Sequence, residues 1–370
     1  MDDILKNEER FVLLLRQLYR QYGYLPYKMS RFEEYDLYAE NRKFLVSQNV
    51  ITFTDLNGRL MALKPDVTLS IAKNHRGGAE NTEKVCYDEH VYRVPAHGGG
   101  FTEITQTGLE CIGAVDGYIC GEVIMLAARS LAQISESCVL DLNHMGFISG
   151  LLDEVPDEEY RHRLLKEICH KNAERVGEVC ALSGADESVV KDLQSLTTMF
   201  GSPEECLPQL KKMCRNEKMA AACAELEVIL GVLKAFKAAD KVQMDFSLTN
   251  ELEYYNGVIF NGFVDGVPSA VLTGGRYDNL MQKLGKDCGA IGFGIYLDLL
   301  ERLGEREREY DVDTLILYED ESVTELLAPE MRRIAESGRS VRAQRERGSI
   351  RCRSLMKMTE RGLVPVDANN

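Results

Sequence analysis

The chain has 370 residues, 45% hydrophobic and 28% charged, with a net charge of −15. That is the make-up of an ordinary globular protein, long enough for one large domain and a smaller one. The acid excess argues against nucleic-acid binding, which needs clustered Lys and Arg. No apolar run approaches the roughly 18 residues of a membrane span, and the opening MDDILKNEER is too charged for a signal peptide, so a cytoplasmic protein without membrane attachment is expected.

Taken in chain order, ERFVLLLRQLYRQYG places Phe11, Leu14, Leu15 and Leu18 on one helical face, with Gly23 as the stop. Residues 42–64 read as short strands joined by DLNGR, where Asn57-Gly58 signals a hairpin. LKPDVTLSIAKN is a turn leading into a helix. KVCYDEHVYRV and FTEITQTGLECIG form a second strand pair around the loop PAHGGG, and residues 117–135 a helix that buries Ile119, Val123, Leu126 and Leu131. Residues 150–240 are rich in Glu, Lys, Ala and Leu at helical spacing and suggest an inserted helical subdomain.

Strands return at YYNGVIFNGFV and VPSAVLTGG, and GAIGFGIYLDLLERL reads as a glycine-rich helix. The last 60 residues read as a small α/β unit with strand VDTLILY, a helix and strand SVRAQR. Strands on both sides of a helical insert imply one antiparallel sheet assembled from distant segments, an α+β fold. Between Met331 and Arg361 arginines crowd and acids are few. The plainer reading is a solvated helical face; the sharper one is a docking surface for an acidic partner or RNA.

The eleven cysteines include no C-x-x-C pair and fit reduced, mostly buried thiols. The six histidines show no metal-ligand spacing, so neither a metal nor another cofactor is predicted. Alternation along FTEITQTGLE sends Gln106 and Glu110 to one face, about 13 Å apart, with Gly108 leaving room between them. Asp66 and Thr68 precede a helix, where they could cap it or accept a ligand ammonium. Tyr254 and Tyr255 should point to opposite sides of a strand, one to the core and one to a pocket. Together these groups suggest a polar site for a small cationic or zwitterionic ligand.

LKPDVT, VYRV, EITQTGLECIG, ELEYYNGVIF, LTGGRYDNL and GAIGFGI resemble, in order and spacing, the class II histidyl-tRNA synthetase core over about residues 5–305. The resemblance implies an antiparallel sheet flanked by helices, a homodimer, and a pocket for histidine and ATP. It divides the chain into a core over 1–305, with the insertion at 150–240, and a truncated anticodon-binding-like α/β unit over 310–370.

Carried over by position, the family's R-P-E-x-T loop falls on Lys64–Thr68 with Asp66 in place of Glu. Its Q-x-x-x-E pair falls on Gln106 and Glu110, and its D-Y-Y-T-G on Glu253, Tyr254, Tyr255, Asn256 and Gly257. With Arg93 of the second motif, the implied histidine-binding residues are Asp66, Thr68, Arg93, Gln106, Glu110, Glu253, Tyr254 and Tyr255.

The activation residues depart from that pattern. Asn250 stands where the family has an arginine, Leu299 at its third-motif arginine with Arg302 one turn away, and Gly100 and Thr102 replace two more arginines. Losing one such contact typically costs 10²–10³ in rate, so no catalytic residues are assigned. A retained histidine site without adenylation machinery resembles the regulatory subunits of ATP phosphoribosyltransferase. That resemblance implies a short-form catalytic subunit as partner, free histidine as feedback ligand, and no role for tRNA. A divergent synthetase and another histidine-sensing paralogue are the alternatives.

Overall fold

The computed structural model describes residues 6–45, 49–78, 80–94, 100–248, 254–300, 303 and 309–366. The chain divides into two compact units, Met1–Leu303 and Gly304–Asn370.

The first unit opens with α1 (Asn7–Gln21), β1 (Leu25–Pro26), β2 (Phe32–Glu34), α2 (Tyr35–Glu40), β3 (Thr52–Thr54), β4 (Leu60–Leu63) and α3 (Thr68–Asn74). The hairpin β5 (Glu83–Arg93) and β6 (Thr102–Gly113) leads to α4 (Gly117–Ile134), β7 (Cys138–His144) and α5 (Met145–Leu152). The insertion holds α6 (Glu158–Cys169), α7 (Ala173–Ser183), α8 (Glu187–Thr198), β8 (Phe200–Gly201), α9 (Pro203–Met213) and α10 (Glu217–Ala235). The chain then returns through β9 (Val242–Asp245), β10 (Val258–Val264), β11 (Leu272–Arg276), α11 (Asp278–Lys283) and β12 (Gly289–Tyr296).

Nine strands form one sheet in the order β1-β5-β6-β12-β11-β10-β7-β9-β8, while β2-β4-β3 make a small separate sheet. The central pairings are antiparallel as expected, but β1 joins β5 and β9 joins β7 in parallel. The long excursion through the insertion makes the second of these possible, because parallel neighbours need a long crossover.

One expected element is wrong in kind. GAIGFGI is not a helix but the central strand β12, hydrogen-bonded to β6 on one side and β11 on the other. Ile291, Phe293 and Ile295 alternate with Gly292, Gly294 and Tyr296, a period of two, and glycine disfavours a helix interior. Among the described residues of GAIGFGIYLDLLERL, only Leu297–Leu300 beyond the strand turns helically, as a short 3-10 segment.

The insertion is anchored to the core by α10, which packs on α4 and α5. Small residues set that approach: a Cβ at Gly121 would lie 2.7 Å from Val232 Cβ. A polar pin adds direction. Glu225 of α10 meets His144 at the end of β7 (3.0 Å) and Arg276 at the end of β11 (2.9 Å), and Arg276 also holds Asp278 (2.8 Å).

In the second unit β13 (Val312–Leu317), α12 (Thr324–Glu336), β14 (Val341–Gln344), β15 (Cys352–Thr359) and β16 (Gly362–Pro365) make a sheet in the order β14-β13-β15-β16. Ile316, Val323, Ile334 and Met358 form its core. The basic tract is not one helical face, because α12 stops at Glu336 and the arginines continue along β14 and β15. Acids on and around β13 answer several of them: Arg351 meets Asp311 at 3.1 Å and Arg353 meets Asp313 at 3.9 Å. None of the eleven cysteines is in a disulfide.

Candidate ligand site

The centre of the large sheet carries a cavity of about 690 Å³. Its floor follows from strand register. On β6, Gln106 and Glu110 lie on one face, and β12 sets Tyr296 opposite Gln106 and Gly292 opposite Glu110. The two side chains fold flat over glycines: a Cβ at Gly292 would stand 1.7 Å from Glu110 Oε2, and one at Gly294 1.9 Å from Gln106 Nε2. The glycines of β12 are there for space.

Glu110 is wholly buried and held from two sides. Thr68 Oγ1 donates to its Oε1 and the Tyr277 hydroxyl to its Oε2, each at 2.6 Å. Burial pushes its carboxyl up to about 8, against the pull of those two hydrogen bonds. Gln106 donates through Nε2 to the Tyr87 hydroxyl at 3.3 Å, while its buried Oε1 has no partner. A buried unpaired amide oxygen is costly and marks a place where a ligand donor belongs.

Asp66 does both things its position allows. One oxygen accepts from the Leu69 N–H at 2.7 Å in the first turn of α3, and the side chain also lines the cavity. Burial raises its carboxyl, with Arg93 opposing. Arg93 itself lines the cavity but is committed elsewhere. Its Nε donates to the Pro65 carbonyl at 2.7 Å, its Nη2 is 3.6 Å from Asp66, and its guanidinium lies over the Tyr296 ring. The geometry makes it a support for Asp66.

Tyr254 and Tyr255 both line the cavity, contrary to the expectation that they point to opposite sides. Strand β10 begins only at Val258, so the tyrosines sit before it, where alternation has no hold. Their rings meet edge to face at 4.6 Å, and Tyr254 also approaches Phe44 and Tyr277. Glu253, Asn250 and Arg302 lie outside the described residues. Gly100, Thr102 and Leu299 are exposed and are not among the lining residues.

Sequence reasoning missed two parts of the wall. Tyr277 and Tyr296 carry no local signal, since their places depend on how β11, α11 and β12 fold back over β6. The outer wall comes from the insertion, where α6 contributes His162, Leu165, Lys166 and Cys169. Their i, i+3, i+4, i+7 spacing was legible, but nothing in the sequence says what that stripe faces.

This architecture and polar pocket define a histidyl-tRNA synthetase-like protein, and the family model described as histidyl-tRNA synthetase matches residues 3–300. The ATP phosphoribosyltransferase regulatory subunit of Caldanaerobacter subterraneus subsp. tengcongensis is 31% identical, over 83% of this chain and 82% of its own. A solved ATP phosphoribosyltransferase regulatory subunit/histidyl-tRNA synthetase from Bacillus halodurans C superposes with a TM-score of 0.75 at 26% identity, covering 92% of this chain and 89% of that one. A chain of the ATP phosphoribosyl transferase (HisG:HisZ) complex from Thermotoga maritima shares the fold, with a TM-score of 0.62 at 21% identity over 78% of this chain and 96% of that one. The chain belongs to the ATP phosphoribosyltransferase regulatory-subunit family, within the histidyl-tRNA synthetase-like fold. Among the described residues no helix is long and apolar enough to cross a membrane.

Proposed function

We propose that the chain is the non-catalytic subunit of an ATP phosphoribosyltransferase at the first step of histidine biosynthesis. In this reading its cavity binds free histidine as a feedback signal, and a short catalytic chain carries the transfer residues. The observation that carries the ligand is the unpaired, buried Gln106 Oε1 beside Glu110 and Asp66. An ammonium and an imidazole are donor groups of the right kind for one amide oxygen and two acids. Thr68, Tyr254 and Tyr255 complete the wall, with Arg93 holding Asp66 in place.

The Thermotoga maritima complex supports a hetero-oligomer as the working form. We assign the chain a homodimeric core, a cytoplasmic location and no tRNA substrate. The 310–370 unit is read as related to an anticodon-binding domain. Coupling is reciprocal: histidine alters the partner's activity, and the active-state ligands alter histidine affinity. Calorimetric titration of the full chain with L-histidine should show one site per chain and no histidine-dependent ATP–pyrophosphate exchange. Absence of binding, or robust exchange, overturns the reading.

A further inference from the structure

Helix α6 uses two faces. Leu164 and Ile168 are buried within the insertion, whereas His162, Leu165, Lys166 and Cys169 line the cavity. The second set is one continuous stripe at helical spacing. It puts an ammonium and an imidazole, both on exposed residues, at the cavity's outer wall.

Among the described residues, the sheet brings one cation to the wall of the cavity, Arg93. Its acids, Asp66 and Glu110, suit an ammonium and an imidazole, and its guanidinium, Arg93, is 6% exposed and turned to Pro65 and Asp66. A histidine seated with its cationic groups on those acids leaves its carboxylate on the side away from the floor. An unpaired carboxylate in a partly enclosed site is unfavourable. We infer that Lys166 is the carboxylate-binding residue, assisted by His162, so that the ligand bridges the sheet and the insertion. The inference rests on the histidine reading and deepens it. It makes the insertion part of the sensor, since only a ligand with a carboxylate can hold both sides. Among the described residues, Lys43, in the 3-10 turn Arg42–Phe44, is the other lysine on the wall and belongs to the core, so it serves as the comparison.

The test is titration of the full chain with L-histidine and with L-histidinol, which keeps the imidazole and ammonium but lacks the carboxylate. Wild type should prefer histidine about tenfold or more, the range for a charge-assisted hydrogen bond. In Lys166→Ala histidine should weaken by about that factor with histidinol unchanged, and Lys166→Arg should restore part of the preference. Lys43→Ala should keep the preference. Lys166 is exposed, so these substitutions leave the insertion packed, and unchanged thermal unfolding checks it. A preference that survives Lys166→Ala, or that vanishes in Lys43→Ala instead, overturns this inference alone. A wild-type chain that binds neither ligand overturns the histidine reading with it.

Discussion

Gly292 and Glu110 face each other across β12 and β6, and the carboxylate occupies the space where any side chain at 292 would begin. A methyl group there would stand 1.7 Å from Oε2, so either the strands separate or Glu110 swings away from Thr68 and Tyr277. Gly292→Ala should cost about 1–3 kcal/mol of stability, the usual range for overpacking. Histidine affinity should fall by far more than that destabilisation explains. Calorimetry beside chemical denaturation separates the two, and near-normal affinity in a folded Gly292→Ala chain would show that Glu110 is not a ligand group.

Glu110 also predicts a pH effect with a definite sign. Its carboxyl is raised to about 8 by burial, so between the ordinary carboxylate range and pH 8 the folded state holds a proton that the unfolded state has released. Stability of the ligand-free chain should therefore fall as pH rises through that window, by up to about 1.4 kcal/mol per unit. Glu110→Gln should remove this slope. Urea midpoints from pH 5 to 8.5 read it directly, and parallel curves for the two proteins would contradict the assignment.

Asp66→Asn keeps an acceptor for the Leu69 N–H but removes the charge an ammonium would meet. Affinity for histidine should drop about tenfold or more. The chain should stay folded, losing about 1–3 kcal/mol because Arg93 loses its counter-charge. Wild-type affinity in this variant would move the ammonium elsewhere in the cavity.

Glu225 is the mirror case. Although burial opposes it, the hydrogen bond and charge of His144 and the charge of Arg276 hold its carboxyl down at about 2. Its contribution is present above the ordinary carboxylate range and is lost as pH falls through about 2. Glu225→Gln should destabilise the chain by roughly 2–4 kcal/mol at neutral pH, as when a buried pair loses one partner. The difference from wild type should shrink in acid. Denaturation at pH 7 and pH 3 checks this, and a pH-independent difference would rule out the ionic account.

The strands and helices that the sequence marks by period were legible: the β5–β6 hairpin, α4 and the inserted helices all follow from apolar spacing and turn residues. Asp66, Thr68, Gln106 and Glu110 were legible because each is placed by its own element. The misses have physical causes. β12 was mistaken for a helix because its glycines hide a period of two, and they are glycines only because Glu110 and Gln106 fill that space from another strand. Tyr254 and Tyr255 defied alternation because β10 starts after them. Lys166 was invisible as a wall residue, since only tertiary packing brings the insertion over the sheet.

The most direct test of the central claim is to mix the full chain with a short-form ATP phosphoribosyltransferase catalytic chain and follow phosphoribosyl transfer while titrating L-histidine. The account predicts that activity rises on mixing and falls again as histidine occupies the cavity. A rate that does not rise, or a raised rate that histidine leaves untouched, would contradict it.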